Sequence, residues 1–143
     1  MSRGLGDVYK RQVLAEYAAA LEASLALGLA QGRAAQLQRQ QLERLLKMQL
    51  ADQPKEEQYG LGCRLAKVQL ELAEYAAAEQ TLAELTARWP VRETPWLLRL
   101  RSAAARKDGA ELARWLAEME RAQVYLSAAG RREVDFWKGG GQP

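Results

Sequence analysis

The sequence predicts an all-α protein, and three observations carry this prediction. Alanine, leucine, glutamate, glutamine and arginine, all strong helix formers, dominate the chain. Isoleucine is absent and valine is scarce, so the residues that favour strands are few. Apolar residues recur at helical spacing between glycines and prolines that mark turns. Short turns between helices predict antiparallel helical hairpins.

This punctuation divides the chain into seven helical segments. In the first, Leu14, Tyr17, Leu21 and Leu25 form one apolar face. The approximate ranges are 13–30, 34–51, 57–72 and 76–88, then a fifth segment opened by the cap Thr94 and by Pro95, a sixth after the cap Asp108, and a seventh at 128–138. In the fifth segment, the side chains expected to face inward are Trp96, Leu97, Leu100 and Ala103.

The composition argues against most catalytic and metal sites. The chain has no histidine, which removes imidazole bases and zinc sites that need them. Cys63 is the single cysteine, and the pair Glu56–Glu57 lies at a solvated helix start with nothing to raise a pKa. We therefore expect no enzyme and no cofactor. The longest apolar run is far shorter than a membrane span.

The first residues are unlike the rest of the chain. Residues 2–12 have no helical apolar period, and the string is similar to the in-frame translation of a transposase adapter used in short-read DNA libraries. We predict that residues 1–12 are a non-native leader, and that the natural chain begins upstream of Val13, so that this sequence is a fragment. A natural disordered leader is the alternative.

The charge of the chain depends on this leader. The full chain has 21 Lys+Arg and 18 Asp+Glu, a net charge of +3. Residues 1–12 contribute three basic residues and one acidic residue, so the remainder has 18 against 17, or +1. A basic chain would suggest a nucleic-acid partner. Because most of the excess belongs to the leader, we expect none.

One segment of 34 residues carries a recognisable motif. Its residues are Leu65 and Ala66 in one helix, Tyr75 at the turn, Ala78 and Leu82 in the next helix, and Pro90 at the end. With this pattern, residues 59–92 resemble a tetratricopeptide repeat. In that family, small residues let two helices approach closely. The departures are Gly62, Gln69 and Leu85.

The resemblance extends unevenly to the rest of the chain. Residues 93–126 form a divergent repeat, in which Trp96 takes the first aromatic position and Leu112 replaces a small residue. Residues 13–54 form a degenerate hairpin, residues 128–138 a terminal helix, and residues 139–143 a flexible tail. The resemblance implies a domain over 13–138, with hairpins stacked as a short α-solenoid. A generic helical bundle or a long antiparallel coiled coil remains the alternative.

The resemblance also implies a binding surface. In the family, the first helix of each repeat lines a concave groove that accepts a peptide or a partner's helix. Lys67 and Arg101 stand at equivalent positions and could hold a carboxylate of the partner. Alternatively, they are solvated charges countered by neighbours such as Glu71. The positions expected to line the groove are Cys63, Lys67, Leu70, Leu97, Arg101 and Ala104.

Two further sets of residues are interpreted as structural. Acidic residues interleave with a basic cluster, which indicates solvated helix surface rather than a phosphate-binding stripe. The cluster is Arg92, Arg99, Arg101, Arg106 and Lys107. The four tryptophans have the spacing of packing residues rather than of a ligand cage; they are Trp89, Trp96, Trp115 and Trp137.

The expected function is therefore a scaffold for protein–protein interaction, part of a larger bacterial protein that contains tetratricopeptide repeats. The alternative is a helical sensor or regulatory region of a multidomain transcription regulator or enzyme whose active domain lies outside this sequence. We expect another protein as the partner, no nucleic acid and no membrane insertion. We also expect self-association through exposed repeat ends.

Overall fold

The computed structural model describes residues 5–140, and within this range it consists of α-helices and short connections. The bounds are α1 Leu5–Ala26, α2 Gly32–Ala51, α3 Tyr59–Glu71, α4 Tyr75–Arg88, α5 Glu93–Ala105, α6 Gly109–Ala122 and α7 Ala128–Lys138, with a 3-10 turn at Lys55–Glu57 before α3. The all-α prediction is confirmed. Residues 1–4 of the predicted leader and 141–143 of the predicted tail lie outside the described residues.

The chain divides into two compact units. Unit 1 is Met1–Ala73 and contains α1, α2 and α3; unit 2 is Glu74–Pro143 and contains α4 to α7. The boundary falls inside the predicted repeat 59–92, at the turn between its two helices.

In unit 1, α2 packs against both α1 and α3. The three helices share one apolar cluster, made of Ala18, Leu21, Leu42, Leu46, Leu65, Val68 and Leu72. The apolar spacing of α2 and α3 predicts most of these residues. In α1, the apolar face predicted from the sequence is partly wrong. Tyr17 is 46% exposed, and the fully buried residue of that turn is its neighbour Ala18. The small side chain of Ala18 lets α1 and α2 approach closely.

The first helix begins earlier than the sequence predicts. It starts at Leu5 rather than near Val13, and it ends at Ala26 rather than at residue 30. No proline interrupts the chain here, and extending an existing helix by one residue adds one backbone hydrogen bond at little further cost. Arg11 also forms an ion pair with Asp52 beyond the end of α2, at 2.8 Å. Part of the predicted leader is thus helical.

In unit 2, α4, α6 and α7 all pack against α5. The inward residues predicted for α5 are buried as expected. They join side chains of α6 and α7 in one cluster, made of Trp96, Leu97, Leu100, Ala103, Trp115, Met119, Val134 and Trp137. Three of the four tryptophans are therefore packing residues.

The start of α5 differs from the sequence prediction, whereas the start of α6 agrees with it. Helix α5 begins at Glu93, so Pro95 lies inside its first turn instead of following a Thr94 cap. Proline is tolerated there because the first amides of a helix have no partner within it. Asp108 caps α6 as predicted, since its carboxylate accepts a hydrogen bond from the Glu111 amide at 3.0 Å.

Helix lengths and turns recur at an interval of 34 residues. Helices α3 and α5 have 13 residues each, and α4 and α6 have 14 each; every one of the later bounds lies 34 residues after the earlier one. The turn after α3 places Ala73 at φ 59°, and the turn after α5 places Lys107 at φ 57°. The amides of both residues donate to the carbonyl three residues earlier, at 3.0 Å.

The segments at the starts of α5 and α7 contact each other, and the paired residues are again 34 positions apart. The Ser127 amide donates to the Glu93 carboxylate, 34 residues earlier, at 2.9 Å, and the Tyr125 amide donates to the Val91 carbonyl at 2.9 Å. Gly130 makes room for this contact, because a Cβ there would lie 1.9 Å from the Glu93 carboxylate. These two hydrogen bonds thus fix the start of α7 against the start of α5.

The left-handed turn residue gives a stability prediction. We expect Lys107→Gly to raise the free energy of unfolding by about 1 kcal/mol, because glycine adopts positive φ without a Cβ clash. The matched control is Ala113→Gly, in the exposed middle of α6, which should lower it by about 1 kcal/mol. Urea denaturation measures both. Equal losses in the two variants would contradict the turn assignment.

Candidate functional site

The six residues predicted to line a groove lie on two helices, one in each unit. Cys63, Lys67 and Leu70 are on α3 in unit 1, and Leu97, Arg101 and Ala104 are on α5 in unit 2. Each set of three has the spacing i, i+4, i+7, which puts its members on one face of a helix. The two sets differ in exposure and in what surrounds them.

The α3 face is partly open to solvent. Lys67 is exposed, while Cys63 and Leu70 are half-buried. Beside Lys67 is a cavity of about 250 Å³ between α1 and α3, with α2 beneath it. Apolar side chains and charged side chains share its lining, which consists of Glu22, Leu25, Ala26, Leu42, Arg64, Lys67, Val68 and Glu71. The face could thus accept an apolar group flanked by a charge.

Most charges around this cavity are paired within unit 1. Arg64 on α3 forms a two-pronged ion pair with Glu22 on α1, with its Nε at 2.9 Å from the carboxylate. Glu71, the expected countercharge of Lys67, is 3.4 Å from Arg39 instead. Among the described residues, no carboxylate forms an ion pair with the Lys67 ammonium. Lys67 is therefore the cation of this lining that is available to a ligand.

The α5 face is largely covered, because α7 packs on it. Leu97 is only 8% exposed and belongs to the unit 2 core, and Ala104 packs against the same core. Neither residue offers much contact area to a partner. The prediction of an open groove wall on α5 missed the coverage of this face by α7. The sequence pattern shows that α5 has an apolar face, but it does not show which helix packs against that face.

Arg101 is exposed, but its guanidinium is engaged by α7. Its Nε and Nη2 donate to the two carboxylate oxygens of Glu133 at 2.8 and 2.6 Å. The indole of Trp137 donates a third hydrogen bond to the same carboxylate at 3.2 Å. The hydrogen bond from Arg101 lowers the pKa of Glu133, and the hydrogen bond to Glu133 raises the pKa of Arg101. The pair is thus ionised over the whole neutral range.

Arg99 is not on the solvated surface that the sequence predicts. It is 7% exposed, and its guanidinium lies 4.0 Å from the Trp115 ring centre and 5.5 Å from that of Trp96. Its Nη2 donates to Glu79 on α4 at 2.7 Å. Burial lowers the pKa of Arg99, while Glu79 opposes this change. A flat, weakly hydrated guanidinium can stack on indole rings, which explains how an arginine packs here.

Other members of the basic cluster are consistent with the structural interpretation. Arg106 forms ion pairs with Glu111 and, at 4.0 Å, with Asp108, so the interleaved acids do neutralise it. In the part of the chain that the structure describes, no group of acidic or cysteine side chains could hold a metal ion. None of the described helices is both long enough and apolar enough to cross a membrane.

Comparison with models of known families, with curated proteins and with solved structures finds no match to this chain. Its function is therefore inferred from the recurrence of its helices and from the residues on their faces.

The Arg99–Glu79 pair gives a prediction about stability. Glu79→Ala leaves a buried cation without its carboxylate, so we expect the free energy of unfolding to fall by about 1–3 kcal/mol. Arg99→Met keeps the packing against the tryptophans and removes the buried charge. The free energy of unfolding should therefore fall by less than in Glu79→Ala. Urea denaturation provides the measurement. Glu84→Ala, an exposed substitution on the same helix, is the control. A larger loss for Arg99→Met would contradict this account.

The Arg101–Glu133 pair predicts a pH dependence. Because the pKa of Glu133 lies below its ordinary value of 4.5 in the folded chain, the pair's contribution to stability is present above that value. It is lost as the pH falls through the lowered pKa. We expect the difference in unfolding free energy between wild type and Glu133→Gln to be constant near neutrality and to shrink below about pH 4.5.

Urea denaturation at a series of pH values measures this difference. The matched control is Asp135→Asn, which removes an exposed carboxylate from the same helix. A difference between wild type and Glu133→Gln that persists unchanged at pH 3 would rule out the ionised pair as its source.

Proposed function

We propose that this chain is a protein-interaction scaffold of the tetratricopeptide-repeat type, which binds a peptide or a helix of a partner protein in a concave groove. Binding rather than catalysis is proposed because most of its charged groups near the candidate faces are engaged in ion pairs.

The recurrence of helix bounds at 34 residues is the observation that carries this proposal. The two pairs of helices have matching lengths, and the helices of each pair are joined by a turn that contains a left-handed residue, as expected for a chain of helical repeats. A bundle needs no fixed interval between its helices. The interval therefore favours repeats over a generic bundle.

The burial of the motif residues supports the same proposal. Leu65 and Ala66 on α3 are buried, and so are Ala78 and Leu82 on α4. Ala66, Ala78 and Leu82 have no exposed surface at all. Buried side chains are what the family's pattern expects at these positions.

Within unit 1, the surface that best fits a partner is the α3 face with its cavity. An apolar side chain of the partner would enter beside Leu25, Leu42 and Val68, and a carboxylate next to it would reach Lys67. Burial of the apolar group would supply most of the affinity, and the ammonium would add specificity.

Selection of peptides from a displayed random library, using the purified chain as bait, tests this proposal. We expect enriched peptides to combine apolar residues with at least one acidic residue. Their affinity, measured by fluorescence anisotropy, should fall about tenfold or more with Lys67→Glu or Leu70→Arg, because each change places an unfavourable group on the α3 face.

The matched control is Arg44→Glu, which reverses an exposed charge on α2 outside the cavity lining. If no peptide is enriched, or if the enriched peptides bind the α3 variants and the control equally well, the α3 face is not the binding surface.

A further inference from the structure

The turn between α1 and α2 presents two leucines to solvent. Leu27 and Leu29 are each 74% exposed, and they flank Gly28, which has a φ of 70°. Backbone hydrogen bonds fix this turn, because the amides of Gly28 and Leu29 both donate to carbonyls of the last turn of α1, at 3.1 Å. One exposed leucine is ordinary, but two on so short a turn form an apolar projection. We call residues 27–31 the leucine turn.

An open cavity, which we call the end cavity, lies at the opposite end of the same two helices. Helices α1 and α2 are antiparallel, since Ser24 bonds to Gln38 while Arg11 pairs with Asp52. The 22 residues of α1 span about 33 Å, so the start of α1 and the end of α2 lie far from the leucine turn. The lining of the end cavity is Asp7, Lys10, Arg11, Leu14, Met48, Ala51 and Asp52.

The end cavity has room for apolar side chains. Its volume is about 460 Å³, whereas a cavity of about 150 Å³ already accepts a benzene-sized apolar group. Its apolar lining is Leu14, Met48 and Ala51, which all follow the predicted leader in the sequence. Met48 is 47% exposed. An apolar group that entered the cavity would remove this methionine surface from water.

The leucine turn lies in a basic part of the chain. Residues 23–42 include no acidic residue. Arg33, in the first turn of α2, is exposed and forms no ion pair with a carboxylate among residues 5–140. Its charge is therefore available to an acidic surface.

The end that holds the cavity is the more acidic one. The 3-10 turn beside it carries Glu56 and Glu57, which are exposed and form no ion pair within the described part of the chain. Gln58 holds this turn against the end of α2, because its side-chain amide donates to the Leu50 carbonyl at 3.1 Å. The two ends of unit 1 thus differ in the sign of their unpaired charges.

We propose that the leucine turn of one copy docks into the end cavity of a second copy, so that the chain associates head to tail. The two leucines then fill the space beside Leu14 and Met48, and Arg33 lies beside the turn that carries Glu56 and Glu57. A second copy fits as the occupant because the chain carries both halves of the match: an apolar projection with a cation, and an apolar cavity with acids. The contact uses unit 1 alone and depends neither on the α3 face nor on any repeat.

This contact joins two different surfaces, so each copy that has formed one contact still has a free surface for another. Such a heterologous contact produces rings if the rotation between copies closes, and open chains if it does not. The contact is small, so we expect it to be weak and to depend on concentration.

Sedimentation equilibrium of the whole chain between about 1 μM and about 1 mM tests the association. We expect the average mass to rise with concentration from the monomer's 16.0 kDa past that of a dimer. Leu27→Asp combined with Leu29→Asp should raise the dissociation constant about tenfold or more, because burying an unpaired carboxylate in an apolar site is unfavourable. Met48→Glu should have the same effect from the cavity side.

Mixing the two variants distinguishes head-to-tail docking from a symmetric contact. The leucine-turn variant keeps an intact end cavity, and Met48→Glu keeps an intact leucine turn. Each alone should stay monomeric, and an equal mixture should form dimers and nothing larger, because only one intact contact can form between them. If Met48→Glu alone associates as wild type does, the leucines do not enter the end cavity and the proposal is overturned.

Charge reversal provides a second test that leaves the apolar groups in place. Arg33→Glu should raise the dissociation constant about threefold, as expected for an exposed ion pair. Adding Glu56→Lys and Glu57→Lys to the same chain should restore it. A dissociation constant that Arg33→Glu leaves unchanged overturns the proposed docking. These variants also serve if Met48→Glu folds poorly, which far-UV circular dichroism reports.

The matched control is Tyr125→Glu, which adds a charge at an apolar residue that is 82% exposed in unit 2. It should leave the dissociation constant as in wild type. An equal weakening in this variant shows a general effect of apolar surface and overturns the proposal. A chain that stays monomeric over the whole concentration range overturns it too, and neither result bears on peptide binding at the α3 face, which the library selection tests separately.

Discussion

The burial of α5 is the constraint on which the rest of unit 2 depends. Helices α4, α6 and α7 all pack on it, so almost its whole circumference is removed from water although it carries two arginines along its length. A buried charge needs a partner of opposite sign. Glu79 from α4 supplies it for the buried Arg99, and Glu133 from α7 pairs with Arg101, which is exposed. The two neighbouring helices are thus held to α5 by charge as well as by apolar contact.

The same constraint explains why the two candidate faces differ. In unit 1 the central helix is α2, and the charges that pair across the unit lie at the rim of a cavity instead of in a core. Arg64 and Arg39 are consequently half-exposed, and Lys67 is left to solvent. The α3 face retains room for a ligand, while the α5 face has been filled by the chain itself.

The local features of the fold follow from the sequence, and the tertiary ones do not. Most helix positions, the Asp108 cap and the packing role of Trp96, Trp115 and Trp137 are encoded in short-range spacing, which the residues themselves display. The buried state of Arg99 is different, because an arginine in a helix has the same local pattern in a core as on a surface. Its burial depends on Trp115, sixteen positions away, and on another helix. Likewise, α7 was predicted as a helix, but its position over α5 was not.

The contact between Glu93 and Ser127 has a consequence for how such a chain can change during evolution. The carboxylate reaches the start of α7 only because the intervening turn and two helices have the right length, and because Gly130 has no side chain in the way. An insertion or deletion within α6 would rotate and shift the start of α7, breaking this bond and misaligning the core behind it. Outward-facing positions are free of that restriction. The lineage can therefore exchange surface residues far more readily than it can alter the length of α6.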